Sequence, residues 1–228
     1  MFAFGMGTLP TMLGVGFFAG RFSADKRSQL FRAGGWVTIA IGLITLLRTD
    51  AMVDLTGHTA LLCLMLALIA RPVSKFLPQL LRYRRALGVG GFTIALAHTF
   101  HMLDHTLQWN FDALSFMLPQ HQLGMLAGMV ALLLMIPAAV TSSDRIQNYL
   151  GKRWRQIHLL SVPAFLLCAL HAALIGSHYL GGFEWKLHNQ LLTVILAMVT
   201  VLVLFARSRL FWSLLSLETF YVSPVKQK

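Results

Sequence analysis

Acidic side chains are scarce in this chain. Eight Asp and Glu stand against nineteen Lys and Arg among 228 residues, and charged residues of both signs make up only 12%. Soluble domains average about 25% charged, so the composition argues against a soluble domain. Cysteine is nearly missing. Cys63 and Cys168 both lie inside apolar runs, so no disulfide framework is expected, and no CxxC motif is present. No GxGxxG follows a strand pattern, which leaves no dinucleotide-binding unit. Met1 to Gly20 lacks a basic opening and reads poorly as a signal peptide. The formal charge of +11 suggests nucleic acid at first sight. The basic residues, however, sit in short clusters between apolar blocks, the pattern of cytoplasmic membrane loops, and no nucleic-acid partner is expected.

What the chain does have is hydrophobic length: 57% of its residues are apolar, in blocks near the roughly 20 residues a membrane helix needs. Seven segments are expected, at about 2–20, 33–48, 55–71, 86–107, 121–141, 155–178 and 188–206. The fold class is an all-α integral membrane protein: a six-helix bundle with one extra N-terminal hydrophobic segment. Residues 1–49 read as an N-terminal hydrophobic hairpin, 50–210 as the main transmembrane domain, and 211–228 as a tail. Arg21 to Arg32, Arg71 to Arg85, Arg145 to Arg155 and Arg207 to Lys228 are the basic clusters, and all fall on one side of such a bundle. That side is cytoplasmic, with the N-terminus outside and the C-terminus inside. Membrane lipid is therefore a partner, and the locale is a bacterial inner or plasma membrane. Trp109, Trp154, Trp185 and Trp212 stand at span ends and read as interfacial anchors.

Ionisable groups within spans mark function by default, and this chain carries nine histidines. His98 stands thirteen residues beyond Arg85, and His171 sixteen beyond Arg155, on helices of the same direction. Both lie roughly 20 Å up from the basic side at 1.5 Å per residue. Two neutral imidazoles at one depth are what a haem iron takes as axial ligands, and there is no CxxCH for covalent attachment. His158, thirteen residues before His171, would not share its helix face unless Pro163 kinks the helix. An inner haem at His158 would need a partner near position 84, which is Arg84. Arg84 or Arg85 could instead fork onto a haem propionate. His158 is thus a ligand with an unusual partner, an alternative ligand at a single haem, or a hydrogen-bonding residue. His101 and His105 follow His98 on one face, and His178 follows His171 by seven residues. These three outline an outer quinone or metal site, or a polar rim. Gly88, Gly90 and Gly91 would let a helix or a flat cofactor approach closely, or serve plain packing.

Three blocks carry a family likeness: LTGHTALLCLMLALIARPVSK from Leu55, RYRRALGVGGFTIALAH ending at His98, and TSSDRIQNYLGKRWRQIH ending at His158, with His171 beyond. From about Asp50 to Arg207 the chain resembles the ferric-reductase-like transmembrane family, nearest its haem-binding MsrQ (YedZ) branch, the membrane partner of a periplasmic methionine-sulfoxide reductase. The resemblance implies a six-helix core, b-type haem and transmembrane electron transfer, with ligands carried over onto His98, His158 and His171. The larger relatives hold two haems with four histidines and have a cytoplasmic flavin domain. Here the fourth place falls at Arg84, and the residues after Arg209 are too few for a flavin domain. AFGMGTLPTMLGVGFFAGR and GGWVTIAIGLITLL resemble the closing helices of the sulfite-exporter or DsbD-like cytochrome-biogenesis membrane family.

The expected function is a membrane b-type cytochrome holding one haem, or two. It would relay electrons from a cytoplasmic flavin reductase or quinol to an outer-side acceptor or partner reductase. No catalytic residue is assigned, and whether this electron-transfer subunit is itself an enzyme stays open between it and its partner. Two other readings stand beside it: an accessory or assembly subunit of a larger membrane complex, and a stand-alone transmembrane ferric or metal reductase.

Overall fold

The computed structural model describes residues 51–182, 186–214, 216, 217 and 221. The expected hairpin at 1–49, with its two hydrophobic segments, lies outside the described residues, as do Trp185 and 222–228. Among the described residues there is no strand. The elements are α1 (Ala51–Ile69), α2 (Pro78–His101), α3 (Pro119–Val140), α4 (Asp144–Leu150), α5 (Lys152–Leu159), α6 (Ser161–Ile175), α7 (Leu187–Ala206) and α8 (Arg209–Leu214). A π-helical turn, Met102–Thr106, extends α2, and a 3-10 turn, Phe111–Phe116, precedes α3.

Four stretches are long and apolar enough to cross a membrane: Pro78–Thr106, Pro119–Val140, Lys152–Ile175 and Leu187–Ala206. α1 is a shorter apolar helix. The chain is an integral membrane protein of all-α class. Leu126, Leu133 and Val140 on α3 and Leu191, Met198 and Phe205 on α7 stand exposed in the isolated chain. They form lipid-facing surface, because a helix satisfies its own backbone and can turn apolar side chains to the bilayer.

Local sequence sets the boundaries. Pro78 and Pro119 open α2 and α3 in the first turn, where no N–H is needed. Ser143 caps α4 by accepting from the Ile146 N–H. Gly151 turns the chain from α4 into α5 at φ +51°, a conformation open to glycine. The sixth expected segment is not one smooth helix. It breaks at Leu160, between α5 and α6. Pro163 has no N–H to give the Leu159 carbonyl, and the Leu160 N–H turns back to Ile157 at 3.1 Å.

α1 lies along α2 and α3 along α6, and α1 also touches α6 and α7. Small residues let these pairs approach. A Cβ on Gly91 of α2 would meet the Cys63 Cβ of α1 at 3.1 Å. Gly124, Ala127 and Ala131 of α3 are buried, as are Ala164 and Ala169 of α6. Without a hydrophobic drive inside lipid, such close packing is what holds membrane helices together. The core gathers Leu61, Leu64 and Leu68 of α1, Met135 of α3, Phe165 of α6 and Leu196 and Val203 of α7.

The arginines gather at one end. α1 has no basic residue in its own last turn. Arg84 of α2 donates from Nε to the Ala67 carbonyl at 3.1 Å, and Arg207 donates to the Leu68 carbonyl at 3.0 Å. Two guanidiniums from other segments thus cap the open end of α1, where carbonyls and the helix dipole favour positive charge. Arg82, Arg84 and Arg85 lie inside the opening turns of α2, not in the connection before it.

Candidate functional site

His98 on α2 and His171 on α6 meet. Their ring centroids are 6.0 Å apart and their planes stand at 88°. Each ring is seated on a glycine of a neighbouring helix. A Cβ on Gly128 of α3 would lie 2.5 Å from His171 Nδ1, and one on Gly57 of α1 would lie 3.2 Å from His98 Cε1. Neither glycine stands out in a reading of the chain by histidine depth. The signal for one was present: Gly124 and Gly128 form a GxxxG step inside an apolar helix.

Both rings are also oriented through Nδ1. His171 Nδ1–H donates to the Gly124 carbonyl at 2.9 Å, which leaves the lone pair on Nε2. His98 Nδ1 is hydrogen-bonded to Thr56 Oγ1 at 3.2 Å, and Thr56 is buried. A metal-binding imidazole characteristically engages its other nitrogen in this way.

The pair fits a bis-imidazole iron. Two metal–nitrogen bonds of about 2.0 Å and two ring radii of about 1.1 Å put ring centres about 6 Å apart. One turn further along α2, His101 is 4% exposed, and its Nε2 is buried with no hydrogen-bond partner. A bound cofactor would satisfy that atom.

His158 is placed differently. It sits at the basic end of the bundle, on α5, with the Trp154 ring 4.0 Å from its own. Thr141 Oγ1 donates to the Pro137 carbonyl at 2.7 Å and pairs with His158 Nε2 at 3.2 Å. The hydroxyl has one proton, already given to Pro137, so His158 Nε2–H is the donor. Among the described residues, no other histidine lines the cavity beside it. Arg84 is tied to α1, and Arg85 is ion-paired with Asp144. The residues present do not fit a second bis-histidine haem here. Trp154, His158, Arg84 and Arg85 line a cavity of about 320 Å³ that also takes in Gly88, Phe92 and Met135.

At the other end, the His101 and His105 rings stack at 4.2 Å, and His105 Nδ1 lies 3.5 Å from Asp104. His178 lies in the turn after α6. Among the described residues no three His, Cys, Asp or Glu side chains come together to hold a metal ion. His58 and His121 serve the loop after α6: His58 Nε2 pairs with the Tyr179 hydroxyl at 3.0 Å, and His121 Nε2 with the Gly181 carbonyl at 3.0 Å. Two expected lipid anchors face inward instead. Trp154 donates to the Thr141 carbonyl while covering His158. Trp212 is 6% exposed and donates to the Ala206 carbonyl.

Comparison with known proteins agrees with this architecture. Residues 56–169, half of the chain, match the family described as ferric reductase like transmembrane component. Residues 1–44 match the cytochrome C biogenesis protein transmembrane region. The protein-methionine-sulfoxide reductase heme-binding subunit MsrQ of Brucella ovis is 37% identical over 120 residues, 51% of this chain and 53% of the relative. The same subunit from Brucella suis and Brucella abortus matches equally. The chain thus spans about half the length of the curated relatives it matches. No solved structure matches it. The chain belongs to the ferric reductase like transmembrane component family.

Proposed function

We propose that this chain is a membrane haem-binding electron-transfer subunit, with one b-type haem held between His98 and His171. The observation that carries the reading is the seated and oriented histidine pair, 6.0 Å between ring centroids. When bound, the haem would supply a one-electron carrier whose potential depends on its ligands and their hydrogen bonds. The protein's part is to hold the two rings. Gly57 and Gly128 leave room for them, Thr56 and the Gly124 carbonyl orient them, and the apolar core excludes water.

The basic end faces the cytoplasm of a bacterial inner membrane, following the charge asymmetry. Electrons enter there from a flavin reductase or a quinol and leave at the His101–His105 end to an outer-side reductase. The subunit name borne by the Brucella relatives supports such a partner. Arg84 caps α1, and Arg85 anchors α4 through Asp144, so neither is needed to explain a second haem. The N-terminal match supports a separate membrane hairpin at 1–49 joined to this domain.

The test is a dithionite-reduced minus oxidised spectrum of purified protein expressed with haem available. A b-type α band is expected that disappears in His98→Ala and in His171→Ala. Folded protein without such a band contradicts the proposal.

A further inference from the structure

The end of α2 away from the arginines carries a buried donor that the two proposed ligands leave unused. His101 is 4% exposed, and its Nε2 is the one buried side-chain polar atom without a hydrogen-bond partner among the described residues. A polar atom left in that state costs about 1–3 kcal/mol. His101 follows His98 by three residues, which puts it on the same helix face, about 4.5 Å further along the axis. It therefore lies beside the edge of a flat group centred between His98 and His171, off the line that joins their rings. The ring is held where it is. It stacks on His105 at 4.2 Å with 26° between the planes. His105 Nδ1 lies 3.5 Å from Asp104, which also accepts from Trp109 Nε1 at 3.2 Å. Gln108 and Trp109 adopt left-handed backbone, at φ +49° and +58°, which costs non-glycine residues about 1–3 kcal/mol each. That bend brings the Trp109 N–H back to the Leu103 carbonyl at 3.0 Å and Trp109 itself onto Asp104.

A haem brings two carboxylates on one edge of its ring, and a carboxylate inside a bilayer is costly unless donors meet it. The usual partner is a guanidinium. Here Arg84 and Arg207 cap α1, and Arg85 pairs with Asp144 thirteen residues, about 20 Å, below His98 on α2. We propose that His101 Nε2–H donates a hydrogen bond to a propionate carboxylate of the haem held by His98 and His171. The propionate edge then faces the His105 end of the bundle. The inference rests on the proposed haem site and adds to its two ligands a residue that holds the rim. The bond needs only a proton on Nε2, which the neutral ring can carry. The stack on His105 keeps that ring aimed. A donor at the propionate also answers part of its charge, and hydrogen bonds around a haem are one of the levers on its potential.

The test sets haem against haem dimethyl ester, whose carboxyls are capped and uncharged. The full chain, expressed without haem, is titrated in detergent with each. The ratio of the two dissociation constants is compared between variants, which cancels the ester's own preference for detergent. His101→Leu is expected to weaken haem binding about tenfold or more, the size of a hydrogen bond to a charged group, and to leave ester binding unchanged. His101→Gln keeps an N–H donor and is expected to recover most of the loss. The b-type α band stays in every variant. The midpoint potential of His101→Leu falls, because an unanswered carboxylate favours ferric iron. Should His101→Leu not accumulate, His101→Phe keeps a ring against His105 and carries the same expectation. A variant that weakens haem and ester alike overturns the inference and makes His101 a packing residue. A variant that weakens neither also overturns it and turns the propionates to another edge. Wild type that takes up neither and shows no b-type α band fails the proposed function itself, and this inference with it.

Discussion

The imidazoles of His98 and His171 stand edge to face, 88° between their planes and 6.0 Å between their centres. Thr56 on one side and the Gly124 carbonyl on the other fix that angle. Rings held at this angle would, with a ferric haem bound between them, leave the two iron dπ orbitals nearly equal in energy. Electron paramagnetic resonance of the oxidised protein is therefore expected to show a strongly axial low-spin signal with one dominant large-g feature. A well-resolved rhombic spectrum would mean that the rings lie parallel.

The glycine seats predict a graded response. Gly128→Ala puts a methyl group 2.5 Å from His171 Nδ1 and 3.0 Å from its Cγ, which forces the ring away. Overpacking of this kind costs about 1–3 kcal/mol, and most of the haem should be lost. Gly57→Ala meets His98 at 3.2 Å, so a shift of a few tenths of an ångström suffices and most haem is retained. Gly90→Ala meets nothing and gains about 0.5–1 kcal/mol of helix propensity. Haem content and detergent melting temperature of the three variants check the order.

Thr56→Val keeps the shape of the side chain and removes the hydroxyl at His98 Nδ1. Loss of such an orienting partner typically weakens metal binding about 10–100-fold. A less basic His98 donates less charge to ferric iron, so the midpoint potential should rise. Haem dissociation kinetics and a redox titration read the two effects, and an unchanged potential would argue against the hydrogen bond.

Arg84→Met removes the donor that caps the Ala67 carbonyl. A hydrogen bond from a charged group contributes about 1.5–3 kcal/mol, so the melting temperature should fall. The haem bound at His98 and His171 should stay. Loss of haem in proportion to Arg84→Met would instead make Arg84 part of the haem site.

The Arg85–Asp144 ion pair ties α4 to α2. The Arg85 guanidinium, by its hydrogen bond and then by its charge, holds the Asp144 carboxyl below the usual carboxylate range. A depressed folded value gives stability that is present above the unfolded value, about 3.9, and lost as pH falls through the folded one. Both side chains are open to water, at 50% and 78% exposure, so the effect is local and salt-sensitive. Protection of the α4 amides against hydrogen exchange should fall below about pH 4, and Asp144→Asn should show the lower protection already at neutral pH.

The pairing of His98 with His171 was legible because depth along a helix is a simple count from a charged end. The rest depended on contacts between helices, which a count along one helix does not contain. Gly57 and Gly128 matter for the ring each leaves room for, whereas Gly88, Gly90 and Gly91 draw the eye as a cluster. Of those, only Gly91 meets a neighbour. Arg84 reads as a missing histidine until its Nε is seen on Ala67 of another helix. The proton on His158 Nε2 follows from Thr141 having spent its own on Pro137, a relation across two segments. Trp212 stands at a span end in the sequence but is buried against Phe76, with ring centres 6.2 Å apart.

Haem stoichiometry by pyridine haemochrome tests the central claim most directly, measured on wild type, His98→Ala, His171→Ala and His158→Ala side by side. One haem per chain is expected in wild type and in His158→Ala, and none in the other two. Two haems per chain, halved by His158→Ala, would contradict the account, and so would haem retained in either His98→Ala or His171→Ala.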